Sequence, residues 1–305
     1  MRSAVVFPGQ GSQGPAMGSE WIGHPAWHLV ESASVVVGRD LSSSLVSPES
    51  VPVRTGDVQL SVFLVSMMAW EAVRSRLSTP AVFAGHSFGQ ISALTAAGVL
   101  SFEDGVRLTV VRGKVAAEAG DRQPGGMIAV LGLDNDKATW ACSAAPGECW
   151  LANDNAPGQV VLAGTETGLA RAAQRALRLG ARKLIRLSVE GPFHTPLMLP
   201  AAEQFARYLS ASSFSIGCTP IISNADAELV SRTTSWATVL ADHLISPVRW
   251  RATQLRLLRL GVDSVVELGF GTTLTSLARR TVPALRRWNV AGPAAARELL
   301  TSGGL

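Results

Sequence analysis

Short apolar runs alternate with segments of helical periodicity through the first third of the chain. Residues 4–7 and 81–84 are runs of four apolar side chains, which predicts buried strands. Residues 57–77 carry a long helical pattern that ends before Ser78-Thr79-Pro80, because proline cannot continue a helix. Strands that alternate with helices are typical of an α/β domain with a parallel sheet.

The pattern changes between residues 125 and 190, where the order strand, helix, strand, strand, helix, strand predicts a ferredoxin-like βαββαβ unit. Glycine and proline pairs flank this unit as boundaries. We therefore expect a small subdomain of residues 125–190 inserted into one large α/β body of residues 1–124 and 191–305. The predicted elements of the unit are strand 127–132, helix 135–145, strands 149–153 and 159–164, helix 167–179 and strand 182–189; those later in the body are strands 219–223 and 263–267 and helices 235–245 and 250–260.

The composition describes a compact folded protein. Of 305 residues, 47% are hydrophobic and 16% are charged, which excludes a disordered chain. The formal net charge of +4 includes no long basic run, which does not fit a nucleic-acid-binding protein. A mild positive excess suits an acidic protein partner, although ordinary surface arginines account for it at least as well.

No segment indicates a membrane span, a secretory leader or a metal site. The apolar stretch 58–70 is too short to span a bilayer and contains three polar residues. Pro8-Gly9 breaks the N-terminal apolar run too early for a signal peptide. We therefore expect a cytoplasmic protein. The odd and sparse count of three cysteines argues against a disulfide framework, and no CxxC pair suggests a metal site; they are Cys142, Cys149 and Cys218.

The segment Gly85-His86-Ser87-Phe88-Gly89 lies between a predicted strand and a helix of small residues. That order is the context of a nucleophile elbow, in which two glycines allow a sharp turn and the serine hydroxyl is exposed at a helix N-terminus. The free N–H groups there favour developing negative charge, and the N–H of Phe88 would be one oxyanion donor. An ordinary tight strand–helix turn is the alternative.

A serine nucleophile needs a base, and the sequence offers five histidines. His86 adjoins Ser87, and neighbouring residues at an elbow point apart. His24 and His28 lie in a polar segment that is typical of a surface helix. His194 lies on a loop beside prolines, directly after the inserted unit. It is therefore the candidate base, although a lone histidine is more often structural.

These motifs resemble those of the malonyl-CoA:acyl-carrier-protein transacylase family, which includes the acyltransferase domains of polyketide synthases. The resemblance covers nearly the whole chain, and the motifs follow the family's order. It implies a hydrolase-like body with a ferredoxin-like insert. The matching segments are Phe7-Pro8-Gly9-Gln10-Gly11-Ser12-Gln13, Gly85-His86-Ser87-Phe88-Gly89, Arg112-Gly113-Lys114, Asn155-Ala156-Pro157-Gly158-Gln159-Val160-Val161, Phe193-His194-Thr195-Pro196-Leu197-Met198 and Ser246-Pro247-Val248-Arg249-Trp250.

The resemblance implies a role for each matching residue. Ser87 would carry the acyl ester, and His194 would take its proton and later protonate the leaving thiolate. The backbone N–H groups of Gln10 and Phe88 would form the oxyanion hole. Arg112 would bind the free carboxylate of a malonyl group, a role that suits a planar and permanently charged guanidinium.

The sequence departs from the family pattern at three positions. His243 stands where the family usually has Gln; a backbone carbonyl near it is expected to orient His194, and its side chain is a candidate for substrate binding. Gln90 replaces the usual Glu after the elbow, and Phe270 replaces the usual Pro between Gly269 and Gly271. These departures bear on the acyl group more than on the reaction.

The implied activity is transfer of a malonyl group from coenzyme A to the phosphopantetheine thiol of an acyl carrier protein, in fatty-acid or polyketide synthesis. The enzyme would be a free-standing monomer with no bound cofactor. Phe88 and Phe193 would wall the ester off from water, and bulky side chains there resemble the malonyl-type pattern.

Three alternatives stay open. The first is a transferase for a substituted malonyl group, or for an aminoacyl or peptidyl unit shuttled between carrier proteins. The second is a proofreading thioesterase. The third is a catalytically idle docking protein. Arg112 favours a carboxylated substrate and counts against the thioesterase, whereas intact Ser87, His194 and Gln10 count against the idle protein.

Basic side chains near the C-terminus and in the insert are candidates to meet an acidic helix of the carrier. A solvated charged face explains them at least as well. They are Arg279, Arg280, Arg286 and Arg287, and Arg182, Lys183 and Arg186.

Overall fold

The computed structural model describes residues 2–48, 52, 54–231 and 233–302, and the described strands form two sheets. The first sheet has five strands and the second has four. In chain order the strands are β1 (Ser3–Phe7), β2 (Val82–Gly85), β3 (Gly126–Leu131), β4 (Cys149–Ala156), β5 (Gln159–Gly164), β6 (Lys183–Arg186), β7 (Ile221–Ile222), β8 (Ser264–Leu268) and β9 (Arg286–Val290).

Helices surround both sheets. In chain order they are α1 (His28–Val37), α2 (Ser42–Val46), α3 (Thr55–Val73), α4 (Gly89–Ala96), α5 (Phe102–Arg122), α6 (Asn135–Cys142), α7 (Glu166–Arg178), α8 (Leu199–Leu209), α9 (Trp236–Asp242), α10 (Trp250–Arg259), α11 (Thr273–Thr281) and α12 (Pro293–Thr301). Helix α3 is buried on almost every side, including its polar residues Gln59, Ser61 and Ser66. Within the described residues, no helix combines the length and hydropathy that crossing a membrane requires.

The five-stranded sheet is parallel and has the order β7-β2-β1-β8-β9. Every residue of β1, β2 and β8 is buried, as expected for parallel strands covered on both faces. Phe7 at the end of β1 lies opposite Gly85 at the end of β2. The loops that follow these two strands therefore meet at one edge of the sheet, where α/β proteins bind ligands.

The four-stranded sheet is antiparallel and has the order β4-β5-β3-β6. Its side chains alternate between two faces, as strand geometry requires. Val160 and Leu162 pack in the cluster that holds α6 and α7, whereas Val161 and Ala163 belong to the core shared with the body. This sheet therefore presents one face to its own helices and the other to the five-stranded body.

Backbone hydrogen bonds join the second sheet to the body. Val248, just before α10, donates its N–H to the Ala152 carbonyl at 2.8 Å and accepts the N–H of Asp154 at 3.0 Å. Arg280 on α11 donates to the Pro157 carbonyl and to Gln159 Oε1 at the turn between β4 and β5. The two sheets thus meet along β4 and its turn.

The predicted elements occur in the predicted order, but several boundaries were wrong. Helix α3 ends at Val73 rather than at residue 77, and β7 keeps only two of the five predicted residues. Strand β6 ends at Arg186 rather than at residue 189: Leu187 still donates its N–H to the Met127 carbonyl of β3, and the N–H of Val189 then bonds the Leu187 carbonyl in a tight turn. The elements α8, α11, β9 and α12 carried no clear pattern in the sequence and were not predicted.

Candidate active site

The elbow between β2 and α4 is built by close backbone packing. A Cβ atom on Gly85 would lie 2.0 Å from the carbonyl of Gly89, and one on Gly89 would lie 2.4 Å from the Phe7 oxygen. Real Cβ atoms do not approach this closely, so both positions require glycine. Between them Ser87 adopts a φ of 52°, in the left-handed region that residues with a side chain seldom occupy.

His194 lies beside the serine in the geometry of a general base. Its Nε2 is 2.8 Å from Ser87 Oγ. Its Nδ1 lies 2.8 Å from the His243 carbonyl and 3.1 Å from the Ser246 carbonyl. Because carbonyl oxygens only accept hydrogen bonds, the ring proton is assigned to Nδ1, and Nε2 is left to accept from the serine hydroxyl.

The electrostatic surroundings keep this imidazole neutral. Burial, as the largest cause, and the positive charge of Arg112 together lower the pKa of His194 to about 3, against the opposing effect of the hydrogen bond to the His243 carbonyl. A neutral imidazole is the form that accepts a proton. The base is therefore in its active form over the whole physiological pH range.

Arg112 on α5 brings a buried positive charge to the same place. Its Nη1 donates to Gln59 Oε1 at 2.9 Å, and its Nη2 lies 3.4 Å from Ser87 Oγ. Burial lowers the pKa of Arg112 to about 10, which leaves the guanidinium charged at neutral pH. In the described part of the chain no carboxylate pairs with it, so its charge is available to an anionic ligand.

A cavity of about 140 Å³ joins these groups between the two sheets. The elements around each sheet supply both polar and apolar side chains to the cavity wall. Across the described residues, no three His, Cys, Asp or Glu side chains converge as metal ligands would. The lining residues include Gln10, Gln59, Ser87, Phe88, Arg112, Phe193 and His194 from the elements around the five-stranded sheet, and Met127, Asn153, Asn155, Gln159, Val161, Leu187 and Val189 from the four-stranded sheet and the segment after β6.

The loop after β1 carries the other predicted oxyanion donor. Gln10 and Phe88 both line the cavity, and among the described residues neither N–H donates to a protein acceptor. The loop is held by the Ser12 hydroxyl, which donates to the Gly9 carbonyl at 2.9 Å. The ring of Phe270 packs so closely on Gly14 that a Cβ there would lie 2.4 Å from a ring carbon.

The two remaining predicted site residues occupy different positions. Phe193 is buried and lines the cavity. His243 contacts the site through its backbone carbonyl, while its buried imidazole is not among the groups that line the cavity. Burial and the charge of Arg112 lower the pKa of His243 to about 3. Substrate binding by this imidazole stays a prediction.

The structure adds polar residues that the sequence reasoning missed. Gln59 orients Arg112, and the buried Thr195 hydroxyl donates to the Pro192 carbonyl at 2.6 Å beside the base. Asn155 Oδ1 lies 2.8 Å from His86 Nε2 and so ties β4 of the four-stranded sheet to the elbow. The signal for Gln59 was that it is the one amide side chain in the mostly apolar stretch 58–70.

Comparisons with known proteins agree with this site. The model of the family described as "Acyl transferase domain" matches residues 4–296. The malonyl CoA-acyl carrier protein transacylase of Salmonella typhimurium is 35% identical over 98% of both chains. The enzyme of that name from Bacillus subtilis is 34% identical over 95% of this chain and 93% of its own.

Solved structures agree as well. A malonyl-transacylase solved in complex with its type II PKS acyl-carrier protein superposes with a TM-score of 0.94 at 33% identity, over 99% of this chain and all of its own. An acyl carrier protein S-malonyltransferase from Vibrio cholerae gives a TM-score of 0.92 at 34% identity, over 98% of this chain and all of its own. The chain therefore belongs to the acyl transferase family and, within it, to the malonyl CoA-acyl carrier protein transacylases.

Proposed function

We propose that this chain transfers a malonyl group from coenzyme A to the phosphopantetheine thiol of an acyl carrier protein through an ester on Ser87. One observation carries the proposal. The Ser87 hydroxyl lies 2.8 Å from a neutral imidazole and 3.4 Å from a buried guanidinium in one small cavity. The first contact activates the nucleophile, and the second provides the charge that a malonyl carboxylate needs.

In the first half-reaction, Ser87 Oγ attacks the thioester carbonyl while His194 Nε2 takes the hydroxyl proton. The negative charge that develops on the carbonyl oxygen is stabilised by the N–H groups of Gln10 and Phe88. When the C–S bond breaks, His194 returns the proton to the departing thiolate. Free coenzyme A leaves, and the malonyl ester stays on Ser87.

In the second half-reaction, the thiol of the carrier attacks the ester and the same groups act in reverse. A thioester is exchanged for an ester and then for another thioester, so the enzyme has to exclude water to avoid hydrolysis. Phe88 and Phe193 are buried at the cavity and supply an apolar wall beside the ester. The mechanism needs no metal and no resident cofactor.

Arg112 sets the substrate class in this proposal. A carboxylate that forks onto its guanidinium forms two charge-assisted hydrogen bonds, and it also compensates a charge that is costly to bury alone. An acyl group without a carboxylate leaves that charge uncompensated. This contrast favours malonyl over the acyl, aminoacyl or peptidyl alternatives, and it counts against a thioesterase of neutral chains.

We also propose the finer architecture that the strand pattern predicts. Residues 125–190 would form a ferredoxin-like subdomain inserted into a hydrolase-like body of residues 1–124 and 191–305. The order of elements from β3 to β6 and the strand order β4-β5-β3-β6 support this division. The enzyme would act as a cytoplasmic monomer.

The carrier would dock beside the cavity mouth on basic residues of the insert and of the C-terminal elements. Three of the seven predicted side chains already have internal partners: Arg186 contacts Glu166, Arg280 holds the turn after β4, and Arg287 donates to backbone carbonyls. Within the described residues, the four exposed side chains without such partners are Arg182, Lys183, Arg279 and Arg286.

Charge reversal tests this docking surface. The Arg182→Glu/Lys183→Glu variant should raise the KM for the carrier and flatten its dependence on salt, because exposed charges act through screened attraction. Arg207→Glu on α8, which contributes nothing to the cavity, is the matched control. Unchanged KM and salt dependence in the first variant would remove these two residues from the docking surface.

Intact-protein mass spectrometry tests the activity itself. Wild type mixed with malonyl-CoA should gain a malonyl adduct that a carrier protein discharges, and Ser87→Ala should gain none. Arg112→Ala should acylate from malonyl-CoA about a hundredfold more slowly, the cost of two charged hydrogen bonds. If wild type takes up acetyl or aminoacyl groups but not malonyl, the malonyl assignment is wrong while the chemistry of Ser87 stands.

A further inference from the structure

The side-chain amide of Asn224 is buried against the elbow and has no part in the acid–base chemistry described above. Asn224 follows β7, the edge strand that pairs with β2, and it is 3% exposed. It is not a cavity-lining residue. Its side chain nevertheless touches three residues of the elbow, although it lies more than 130 positions away in sequence.

The hydrogen bonds of this amide span the turn. Its Oδ1 accepts the N–H of Ser87 at 2.7 Å. Its Nδ2 donates to the Gly85 carbonyl and to Gln90 Oε1, the latter at 2.6 Å. The orientation of the amide follows from chemistry, since an N–H can only donate and a carbonyl can only accept. All three side-chain hydrogen bonds of Asn224 are therefore made to the elbow and to Gln90 directly after it.

These contacts act on a strained residue. Ser87 has a φ of 52°, in the left-handed region that residues with a side chain seldom occupy. Among the described residues its N–H has no backbone acceptor, and the Oδ1 of Asn224 is the partner that satisfies it. This hydrogen bond forms with Ser87 in its left-handed conformation, so it favours that conformation over the alternatives.

We propose that Asn224 is a positioning residue that holds Ser87 in its left-handed conformation and so keeps Oγ within reach of His194. Because the N–H of Ser87 is bonded to Asn224, the N–H of Phe88 is the one that can donate to the oxyanion. The backbone of Asn224 also accepts the N–H of Arg249 at 2.9 Å, one residue after the segment that pairs with β4. The inference rests on the proposed function only in that Ser87 is the nucleophile.

Gln90 completes the arrangement. It is fully buried, and its Oε1 faces Asn224, while its Nε2 has no partner in the described part of the structure. Its one observed side-chain hydrogen bond therefore fixes the amide of Asn224. Replacing Gln90 with Met keeps most of the volume and the Ser87 contact, and it removes one of the three hydrogen bonds.

The test separates the position of the nucleophile from substrate binding. The first measurement is the rate constant of Ser87 with a fluorophosphonate, in which Oγ attacks phosphorus, fluoride leaves and His194 takes the proton. The second is the rate of acylation by malonyl-CoA. The third is the Kd of malonyl-CoA, measured in the Ser87→Ala background with and without the change at residue 224.

Asn224→Ala should slow both reactions of Ser87 by about 30- to 100-fold, the scale of a small misplacement of a reacting atom. The Kd of malonyl-CoA should change less than twofold. Ser34→Ala is the control: this hydroxyl bonds the Val30 carbonyl and the Leu41 N–H in and after α1, away from the cavity, so it should lower stability without slowing Ser87.

For Asn224→Ala, rates within threefold of wild type would overturn the proposal. A rise in the Kd of malonyl-CoA as large as the fall in rate would overturn it too. If Asn224→Ala does not fold, Gln90→Met replaces it in the test. This variant should slow both reactions of Ser87 by about threefold to tenfold. Unchanged rates would overturn the proposal. If wild type reacts with the fluorophosphonate but not with malonyl-CoA, the malonyl assignment fails, and the fluorophosphonate rates still decide the role of Asn224.

Discussion

At the scale of single residues, both partners of the proposed chemistry hold a conformation that glycine adopts more readily. Ser87 has a φ of 52° and His194 a φ of 63°, and among the described residues only Ala16 and Ala227 share this region without being glycine. Such backbone strain costs about 1–3 kcal/mol and persists only where neighbours enforce it. The strain therefore marks a site at which the fold, and not local preference, sets the geometry.

The charge of Arg112 leads to a prediction about pH. This charge lowers the pKa of His194, after the larger effect of burial. Since the base works only when neutral, the rate of Ser87 falls as the pH drops through that pKa. Arg112→Gln removes the charge and raises the pKa, so the acid limb of the fluorophosphonate rate should move to higher pH.

The control for this experiment lies on the same helix. Arg107 is exposed and pairs with Asp104, so Arg107→Gln should leave the acid limb where wild type has it. The fluorophosphonate carries no carboxylate, so the loss of malonyl binding does not enter the measurement. An acid limb that Arg112→Gln does not move would show that burial alone keeps His194 neutral.

Gln59 is predicted to act through Arg112. Its Oε1 accepts from Nη1 at 2.9 Å, and both side chains are buried. Gln59→Leu should therefore leave the guanidinium free to turn and should lower kcat/KM for malonyl-CoA about tenfold, the value of one hydrogen bond to a charged group. The fluorophosphonate rate should stay within twofold of wild type. Equal losses with both reagents would mean that Gln59 supports the serine itself.

Motifs predicted the residues that lie in or next to the glycine turns, because their spacing reflects local backbone geometry. The structure brings six of the predicted side chains to the cavity, namely Gln10, Ser87, Phe88, Arg112, Phe193 and His194. Gln59 and Asn224 were missed. Each acts through a hydrogen bond to a residue more than 50 positions away, and no periodicity in one sequence encodes such a pair.

At the scale of elements, the sequence predicted strands and helices wherever one face or both faces are apolar. It was least successful near the C-terminus, where β9 is mostly exposed or half-buried and α11 is short. Helix α11 nevertheless contributes Thr273, Leu274 and Leu277 to the cavity. Its position depends on a buried carboxylate rather than on its own pattern.

That carboxylate is Glu267 in β8, and it gives a prediction about stability. It is fully buried and accepts the N–H groups of Leu274 and Thr275 and the Thr275 hydroxyl, all between 2.8 and 2.9 Å. Glu267→Ala would leave these donors buried without partners, so the free energy of unfolding in urea should fall by about 2–4 kcal/mol. Glu203→Ala, exposed on α8, should change it by less than about 0.5 kcal/mol.

At the scale of the whole molecule, the site lies where two sheets meet, and burial there has a general consequence. His86, His194 and His243 are all enclosed, and desolvation is the largest cause of the lowered pKa of each. The order of elements was predictable because the strands of the parallel sheet are continuous apolar runs, whereas side chains along the antiparallel strands alternate between two faces. The way one sheet covers the other was not, since it depends on contacts such as Val248 with β4.

This enclosure predicts how stability depends on pH. Below pH 6.5 the unfolded chain binds protons on these histidines that the folded chain excludes, so acid favours unfolding. For His194 and His243 the effect extends from pH 6.5 down to about 3. Between pH 6.5 and 5.5 each such histidine should lower the free energy of unfolding by about 1 kcal/mol.

The His243→Gln variant isolates one of these contributions, since it keeps a polar side chain and the backbone carbonyl that orients His194. The difference in the free energy of unfolding between pH 6.5 and 5.5 should shrink by about 1 kcal/mol relative to wild type. His28→Gln, at an exposed position outside the site, is the control. If His243→Gln keeps the full difference, the folded protein accepts a proton on His243, and this imidazole is then open to the charged ligand that the sequence suggested.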